Sequence, residues 1–298
     1  MTKSNTGARS SYLTGIGLAM FGAVAFGTLA IFAKQAYDHG ATAIPLLAAR
    51  FALTSVLLIG YLLATRRPLW MGSSKVGRLL LLGAFGYGVE ATLFFLALER
   101  APASVVGLVF YSYPLWTTLM AIALRMERFE LRLAAALLLG SVGVASIFSL
   151  TDTPLAGPLL ALGAAVMVAL FYIGAQVLSE GTPPTTAATW TATGAAIALG
   201  ATALIVGDGL PRAALGPTVG LGGATAIAFI ATYAAIARIG SSRTAIANML
   251  ELVTTIALAA ILLGEDLTLR IAIGAALVLS AIPVLATKRE TIPAADAA

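Results

Sequence analysis

The chain has little charge, no cysteine and a single histidine. Charged residues make up 10% of its 298 residues. The absence of cysteine excludes disulfides, thiolate metal sites and a thiol nucleophile. With His39 as the one histidine, the sequence predicts no metal site, and we expect no other cofactor. A membrane enzyme needs a set of catalytic groups that these residues do not supply, so we expect a protein that is not an enzyme.

The charges that are present lie in short clusters between long apolar runs. Hydrophobic residues make up 59% of the chain, and the mean hydropathy is +0.96. No charge lies between Arg9 and Lys34, or between Arg100 and Arg125. Such runs reach the roughly 20 apolar residues that a membrane helix needs, and they lack the alternation of barrel strands.

The sequence therefore predicts an all-α integral membrane protein with ten transmembrane helices. The first run is too long for the apolar region of a signal peptide, so we interpret it as an uncleaved span. The predicted spans are Tyr12–Tyr37, Ala43–Thr65, Val76–Leu98, Pro102–Leu124, Leu133–Leu150, Pro154–Leu178, Pro184–Val206, Gly216–Ala237, Ser242–Leu263 and Leu269–Thr287.

The basic residues predict the orientation. With the N-terminus in the cytoplasm, thirteen of the eighteen Lys and Arg residues lie inside and five lie toward the outside. Both termini are thus predicted to be cytoplasmic in a multi-pass protein of the cell (inner) membrane. Because the basic residues are spread over several loops, we expect no nucleic-acid partner. The expected partners are the lipid bilayer and a small-molecule substrate, and no obligate protein partner is evident.

The two halves of the chain repeat. Arg100–Arg132 aligns without gaps on Arg238–Arg270 at an offset of 138, and Glu127-x-Phe129-x-Leu131-Arg132 falls on Glu265-x-Leu267-x-Leu269-Arg270. Apolar helices are alike in composition, but the repeated charged pattern favours a true repeat. A five-span unit crosses the membrane an odd number of times, so the second copy is inverted, with a substrate site near the midplane. The predicted units are 1–150 (spans 1–5) and 151–298 (spans 6–10).

Motifs in these repeats resemble a known family. Ala101-Pro102-Ala103-Ser104, Tyr113-Pro114 and Glu127 are similar to the span-four signature of the EamA repeat in the drug/metabolite transporter (DMT) superfamily. Ala48-Ala49-Arg50-Phe51 also fits, and Leu262-Leu263-Gly264-Glu265 closes the second copy in the same style. Within the superfamily the chain looks most like the YddG-type aromatic amino-acid exporters. The second copy departs from the pattern at Leu252, where the first has Pro114, which leaves a kink in span 9 open.

Glu251 is the strongest candidate for a functional residue inside the membrane. It lies about 14 Å along span 9, close to the centre of a roughly 30 Å core. Thr244, Asn248, Glu251 and Thr255 follow one another at i, i+4, i+7 and i+11, which predicts one polar helix face. An ionisable residue at this depth marks a cavity or pathway, so we expect Glu251 to be a proton-coupling group. The alternative is a polar seam that joins helices.

The repeat maps this polar face onto Val106, Phe110, Tyr113 and Thr117 of span 4. One wall of a midplane site would then be aromatic and the other polar, which suits an amphipathic substrate. Ordinary packing is the alternative for the aromatic residues. The candidate substrate-binding residues are Tyr87, Glu90, Phe110, Tyr113, Thr117, Asn248, Glu251 and Thr255.

Arg50 and Glu90 are two further ionisable residues within the predicted spans. Both lie about 20 Å from the cytoplasmic face, so we hypothesise that they form an ion pair. The pair would either hold spans 2 and 3 together or take part in substrate binding. Glu90 follows the glycine-rich run 83–88, which permits close packing or lines a cavity. Tyr172, Gln176 and Trp190 are further cavity candidates, although Tyr and Trp near span ends are more often interfacial anchors.

These observations predict a secondary transporter that works by alternating access. The run 83–88 lacks the Lys-Ser/Thr ending of a P-loop, so energy comes from gradients. We expect the substrates to be small amphipathic metabolites. The resemblance implies export of amino acids, with aromatic or bulky ones preferred. An exporter of drugs, nucleosides or lipids with the same fold is the alternative. A channel is less favoured, because the polar residues form a local patch and not a continuous pore.

Overall fold

The computed structural model describes residues 2–98, 100–101, 103–147, 154–263 and 267–286. All the regular elements within these ranges are helices. Nine of these helical segments are long and apolar enough to cross a membrane, and Leu131–Ile147 is a shorter apolar helix. An all-α membrane protein of about ten spans is therefore confirmed. The predicted positions Pro102, Leu150, Gly264, Glu265 and Thr287 lie outside the described residues.

Six spans are single uninterrupted helices, and four contain an irregularity. The uninterrupted spans are span 2 (Ala43–Ala64), span 5 (Leu131–Ile147), span 6 (Ala156–Leu178), span 7 (Pro184–Val206), span 8 and span 10 (Leu269–Ala286). Span 8 is the first part of a helix Leu215–Ala247, preceded by a 3₁₀ turn Arg212–Ala214; this helix turns at Gly240 (φ 81°, ψ 171°) and continues as the start of span 9.

The interrupted spans are spans 1, 3, 4 and 9. Span 1 consists of Thr2–Gly27 and Leu29–Asp38, span 4 of Ala103–Phe110 and Tyr113–Ala123, and span 9 continues as Leu250–Leu263. Span 3 contains a π-helical segment, Ala84–Val89, between the α-helices Ser73–Gly83 and Glu90–Leu98. Discontinuous helices at midplane depth are typical of secondary-transporter binding sites.

The breaks in spans 4 and 9 lie at equivalent positions of the two repeats. Span 4 is interrupted at Tyr111–Ser112 and span 9 at Asn248–Met249, and the offset of 138 places Met249 on Tyr111. At the second break, the backbone N–H of Glu251 donates to the carbonyl of Asn248 (2.9 Å), a tighter turn than that of an α-helix. A break in span 9 therefore exists, although Leu252 stands where span 4 has Pro114.

The ends of the first and last spans meet at one end of the bundle. The Tyr12 hydroxyl donates to the carbonyl of Leu285 (2.6 Å). We call this the Gly240 end, because the connection between spans 8 and 9 also lies there. At the opposite end, Nε of Arg270 donates to the carbonyl of Ser146 (2.5 Å), which joins the end of span 5 to the start of span 10. The first repeat thus ends on the side opposite to its start, and the second is inverted.

Spans 3 and 7 approach each other through two glycines. A Cβ on Gly83 would overlap the carbonyl oxygen of Thr191, and a Cβ on Gly194 would overlap that of Leu80. Each glycine therefore lies directly beneath a backbone carbonyl of the other span. This reciprocal contact holds span 7, which belongs to the second repeat, against the helix that leads into the π-helical segment of the first.

Candidate substrate-binding cavity

A cavity of about 270 Å³ lies where the interrupted spans meet. Both repeats contribute to its walls, and its lining lies near the breaks of spans 1, 4 and 9 and the π-helical segment of span 3. Most of the lining side chains are aromatic or aliphatic, and three belong to acidic or basic residues. The lining consists of Phe26, Leu29, Leu47, Arg50, Phe51, Tyr87, Glu90, Ala91, Phe94, Gly107, Phe110, Tyr111, Tyr113, Val168, Tyr172 and Glu251.

Arg50, Glu90 and Glu251 are the acidic and basic residues among those that line the cavity. Nε of Arg50 donates to Oγ1 of Thr225 (2.6 Å), and its guanidinium carbon lies 5.0 Å from the centre of the Phe51 ring. The Arg50 charge acts electrostatically on both carboxylates. The structure does not, however, bring Arg50 and Glu90 into a direct ion pair among the described residues, because Thr225 and the Phe51 ring hold the guanidinium instead. Arg50 therefore keeps donors available for a ligand.

The π-helical segment Ala84–Val89 directs Tyr87 and Glu90 toward the cavity. Glycine is a poor helix former, so Gly86 and Gly88 ease the local widening to a π-helix. Both glycines also allow close packing, since a Cβ on Gly86 would lie 3.2 Å from Phe171 and one on Gly88 would lie 3.1 Å from Ala198. The glycine-rich run thus serves both of the roles that its sequence suggested.

An aromatic cluster forms one side of the cavity. The Tyr87 ring lies 4.7 Å from that of Phe171 and 5.0 Å from that of Phe229, centre to centre. Phe110 contacts Phe94 edge to face at 4.9 Å. These rings give the cavity a wall that suits a flat apolar group.

Tyr113, Tyr172 and Asn248 close the cavity toward the Gly240 end. The rings of Tyr113 and Tyr172 are stacked, 5.7 Å apart with an interplanar angle of 16°. Nδ2 of Asn248 donates to the Tyr172 hydroxyl (2.6 Å), while no donor among the described residues reaches its buried Oδ1. One turn nearer that end, the fully buried Thr244 donates to the Gly240 carbonyl (2.7 Å). Buried side chains thus separate the cavity from the Gly240 end.

Five of the candidate residues line the cavity and three do not. The five are Tyr87, Glu90, Phe110, Tyr113 and Glu251, so the pseudo-symmetric pair Tyr113 and Glu251 share one cavity. Asn248 reaches it through Tyr172, as described above. Thr117 donates to the Tyr113 carbonyl, and Thr255 donates to the Gly27 carbonyl at the break in span 1 (3.1 Å). The four polar residues of span 9 do not lie on one continuous helix face, because the helix is interrupted after Ala247.

Sequence reasoning did not assign several lining residues to the site. Tyr172 is a candidate by sequence, but its position near a span end favours an interfacial role. Phe26, Phe94 and Tyr111 gave no signal, because apolar and aromatic residues are common throughout the spans. Gln176 and Trp190 lie away from the cavity: Gln176 accepts a hydrogen bond from the Ser241 backbone N–H, and Trp190 donates to the Leu69 carbonyl (2.8 Å).

The match to a known family covers most of the chain. Two segments, residues 13–149 and 155–287, match the EamA-like transporter family. The chain belongs to this family. It is thereby placed in the DMT superfamily, whose EamA members are transporters and not enzymes. A solved structure titled only as the crystal structure of a protein has a TM-score of 0.76 to this EamA-like chain at 21% identity, over 93% of this chain and 98% of that one. That likeness shows the fold alone, and none of the curated proteins matches the sequence.

Proposed function

We propose that this EamA-like transporter exports small zwitterionic metabolites, namely amino acids with a preference for aromatic or bulky side chains. The observation that carries the proposal is the composition of the cavity. One guanidinium and two carboxylates share a small space with an aromatic wall. Arg50 would bind the substrate carboxylate, Glu90 or Glu251 its ammonium group, and the aromatic wall its side chain.

The size of the cavity favours a small substrate. Its volume of about 270 Å³ is below the range of roughly 300–1,000 Å³ that is typical of pockets for drug-sized ligands. This supports a single amino acid over a lipid or a large drug. The alternative of a nucleoside exporter is favoured by the same aromatic wall, since a base stacks on aromatic rings, but a nucleoside carries no charge to match Arg50 and the two carboxylates.

Alternating access would move the cavity between the two faces of the membrane. The cavity is separated from the Gly240 end by the buried residues around Asn248, and the two inverted repeats are the units that would rearrange. The excess of basic residues in the loops at the Gly240 end supports a cytoplasmic position for that end and for both termini, in the cell (inner) membrane. Export would then load substrate at the Gly240 end and release it at the other.

Uptake by proteoliposomes tests the proposed substrate class. The purified protein is reconstituted with an internal pool of unlabelled compound and given labelled amino acids, nucleosides, a cationic dye or a lipid in turn. We expect saturable exchange of phenylalanine and other bulky amino acids above that of empty liposomes. Exchange of the dye or the nucleoside without exchange of any amino acid would contradict the proposal.

Glu251→Gln is expected to remove the part of the pH dependence of transport that arises in the cavity while leaving the fold intact, because glutamine has the size of glutamate but cannot release a proton. The measurement is the rate of phenylalanine exchange between pH 5.5 and 8.5. Glu180→Gln is the matched control, since Glu180 is exposed in the connection between spans 6 and 7. Glu251 would not be the coupling group if Glu251→Gln and Glu180→Gln gave the same pH profile as the native protein.

A further inference from the structure

Glu127 is a buried carboxylic acid that joins the two repeats at the Gly240 end. It lies in the connection between spans 4 and 5, and only 6% of its side chain is exposed. A Cβ on Gly240, in the second repeat, would lie 2.7 Å from Oε1 of Glu127. Gly240 has a left-handed backbone conformation (φ 81°) that favours glycine. The carboxyl group is thus inserted into the turn at which span 9 begins.

The carboxyl group is poorly satisfied as an anion. Among the described residues, no donor makes a geometrically complete hydrogen bond to either of its oxygens. The hydroxyl oxygens of Ser241 and Ser242, which follow Gly240, are also buried without a partner. A buried carboxylate without hydrogen bonds is costly, whereas a protonated carboxyl group gains a donor that hydroxyl or amide oxygens can accept.

The neighbouring positive charge is shared with a second carboxylate. Nη1 of Arg243 lies 3.4 Å from Oε2 of Glu127, but Nη2 of Arg243 donates to Oε1 of Glu130 at 2.8 Å. Among the described residues, the Tyr12 hydroxyl on span 1 also interacts electrostatically with Arg243, Glu130 and Glu127. Burial raises the pKa of Glu127, and the Arg243 charge lowers it only in part. The Ser242 hydroxyl and backbone N–H lie near the carboxyl group and also lower its pKa, although neither makes a geometrically complete hydrogen bond to it.

We propose that Glu127 is a proton-operated latch, which keeps the Gly240 end closed when it is protonated and allows that end to open when it is ionised. The geometry links the latch to the cavity, because Gly240, Thr244, Asn248 and Glu251 follow one another along the start of span 9. Ionisation favours withdrawal of the carboxyl group into water, and so frees the turn at Gly240. The proposal rests on the alternating access of the proposed function and adds its regulation by pH.

The direction of the pH effect follows from linkage. A carboxyl group whose pKa is higher in the closed state than in water binds its proton more tightly when the end is closed. Acidification therefore favours the closed state, and a rise in pH through the raised pKa favours opening. Glu127→Gln imitates the protonated acid and is expected to hold the end closed at every pH.

Thiol labelling measures the opening of this end without any substrate. The chain has no cysteine, so Thr244→Cys introduces a single thiol on the buried path between Gly240 and the cavity. Ser74→Cys, exposed at the same end, corrects for the higher reactivity of thiols at high pH. A membrane-impermeant maleimide is applied to reconstituted protein between pH 5 and 9. We expect the corrected labelling of Thr244→Cys to rise at least fivefold with pH, and to stay low and flat when Glu127→Gln is added.

Two further variants test the latch without altering Glu127. Glu130→Gln leaves Arg243 to Glu127 alone, so labelling is expected to rise at a lower pH. Arg243→Met removes the stabilising cation, so labelling is expected to rise at a higher pH. Native pH dependence in the Glu127→Gln background would overturn the proposal, as would shifts of the other two variants in the same direction. Labelling needs no substrate, so its result does not depend on whether the amino-acid exchange assay succeeds.

Discussion

Arg50→Met is expected to reduce phenylalanine exchange by at least about 100-fold. Arg50 is the cationic residue among those that the structure places around the cavity, where it is held by Thr225 and the Phe51 ring. Methionine keeps a long apolar side chain but leaves the substrate carboxylate without a partner beside two protein carboxylates. Breaking a buried charge pair costs about 3 kcal/mol or more, and each 1.4 kcal/mol is a factor of about ten. The exchange rate at low substrate concentration measures the effect.

Two milder variants separate the charge of Arg50 from its orientation. Arg50→Lys keeps the charge but loses the planar fork of donors, so an intermediate loss is expected. Thr225→Val removes the hydroxyl that holds Nε and leaves the charge in place, so we expect a loss of about tenfold or less from one hydrogen bond. Thermal unfolding in detergent shows whether each variant is folded. Exchange by a folded Arg50→Met protein within twofold of the native rate would exclude substrate binding by Arg50.

Gly83→Ala and Gly194→Ala are each expected to prevent stable folding. At both positions the added methyl group would overlap a backbone carbonyl of the neighbouring span, and a backbone cannot move aside as a side chain can. Spans 3 and 7 would have to separate, which we expect to cost more than the roughly 1–3 kcal/mol of ordinary overpacking. The measurements are the fraction of monodisperse protein after solubilisation and its unfolding temperature.

Each of these glycines has a matched control six residues away in the same span. No atom lies within 4 Å of a Cβ built on Gly77 in span 3 or on Gly200 in span 7. Alanine is a better helix former than glycine by about 1 kcal/mol, so Gly77→Ala and Gly200→Ala are expected to be neutral or slightly stabilising. Equal stability of the Gly83→Ala and Gly77→Ala proteins would show that spans 3 and 7 do not make the contact described.

The sequence predicts the spans and the repeat because hydropathy and charge act over long stretches of chain. The apolar runs predict the helices. The aligned charged motifs predict two copies of one repeat, which the family match also finds. The ionisable residues of the cavity are predictable for a related reason. A charge such as that of Arg50 or Glu251 is too costly to expose to lipid, so its presence in a span indicates the interior.

The irregular parts of the helices are not predictable in the same way. Span 9 has Leu252 at the position of the span 4 proline, so its sequence does not indicate a break, yet span 9 breaks at the equivalent position. The Thr28 interruption and the π-helical segment at Ala84–Val89 have glycines nearby, but Gly77 and Gly200 are glycines within regular helices. Whether a glycine lies at a helix break, at a close contact between spans or within a regular helix depends on how the neighbouring span packs against it. For the same reason Tyr172 lines the cavity while Thr117 and Thr255 bond to backbone carbonyls.

Competition for phenylalanine exchange by two truncated analogues tests most directly whether the cavity binds both charged groups of an amino acid. Phenethylamine lacks the carboxylate that Arg50 would bind, and 3-phenylpropionate lacks the ammonium group that Glu90 or Glu251 would bind. A cavity with both charges and an aromatic wall predicts that each analogue competes at least tenfold more weakly than unlabelled phenylalanine, and that Arg50→Met removes the preference for phenylalanine over phenethylamine. Equal competition by phenethylamine and phenylalanine in the native protein would contradict the account.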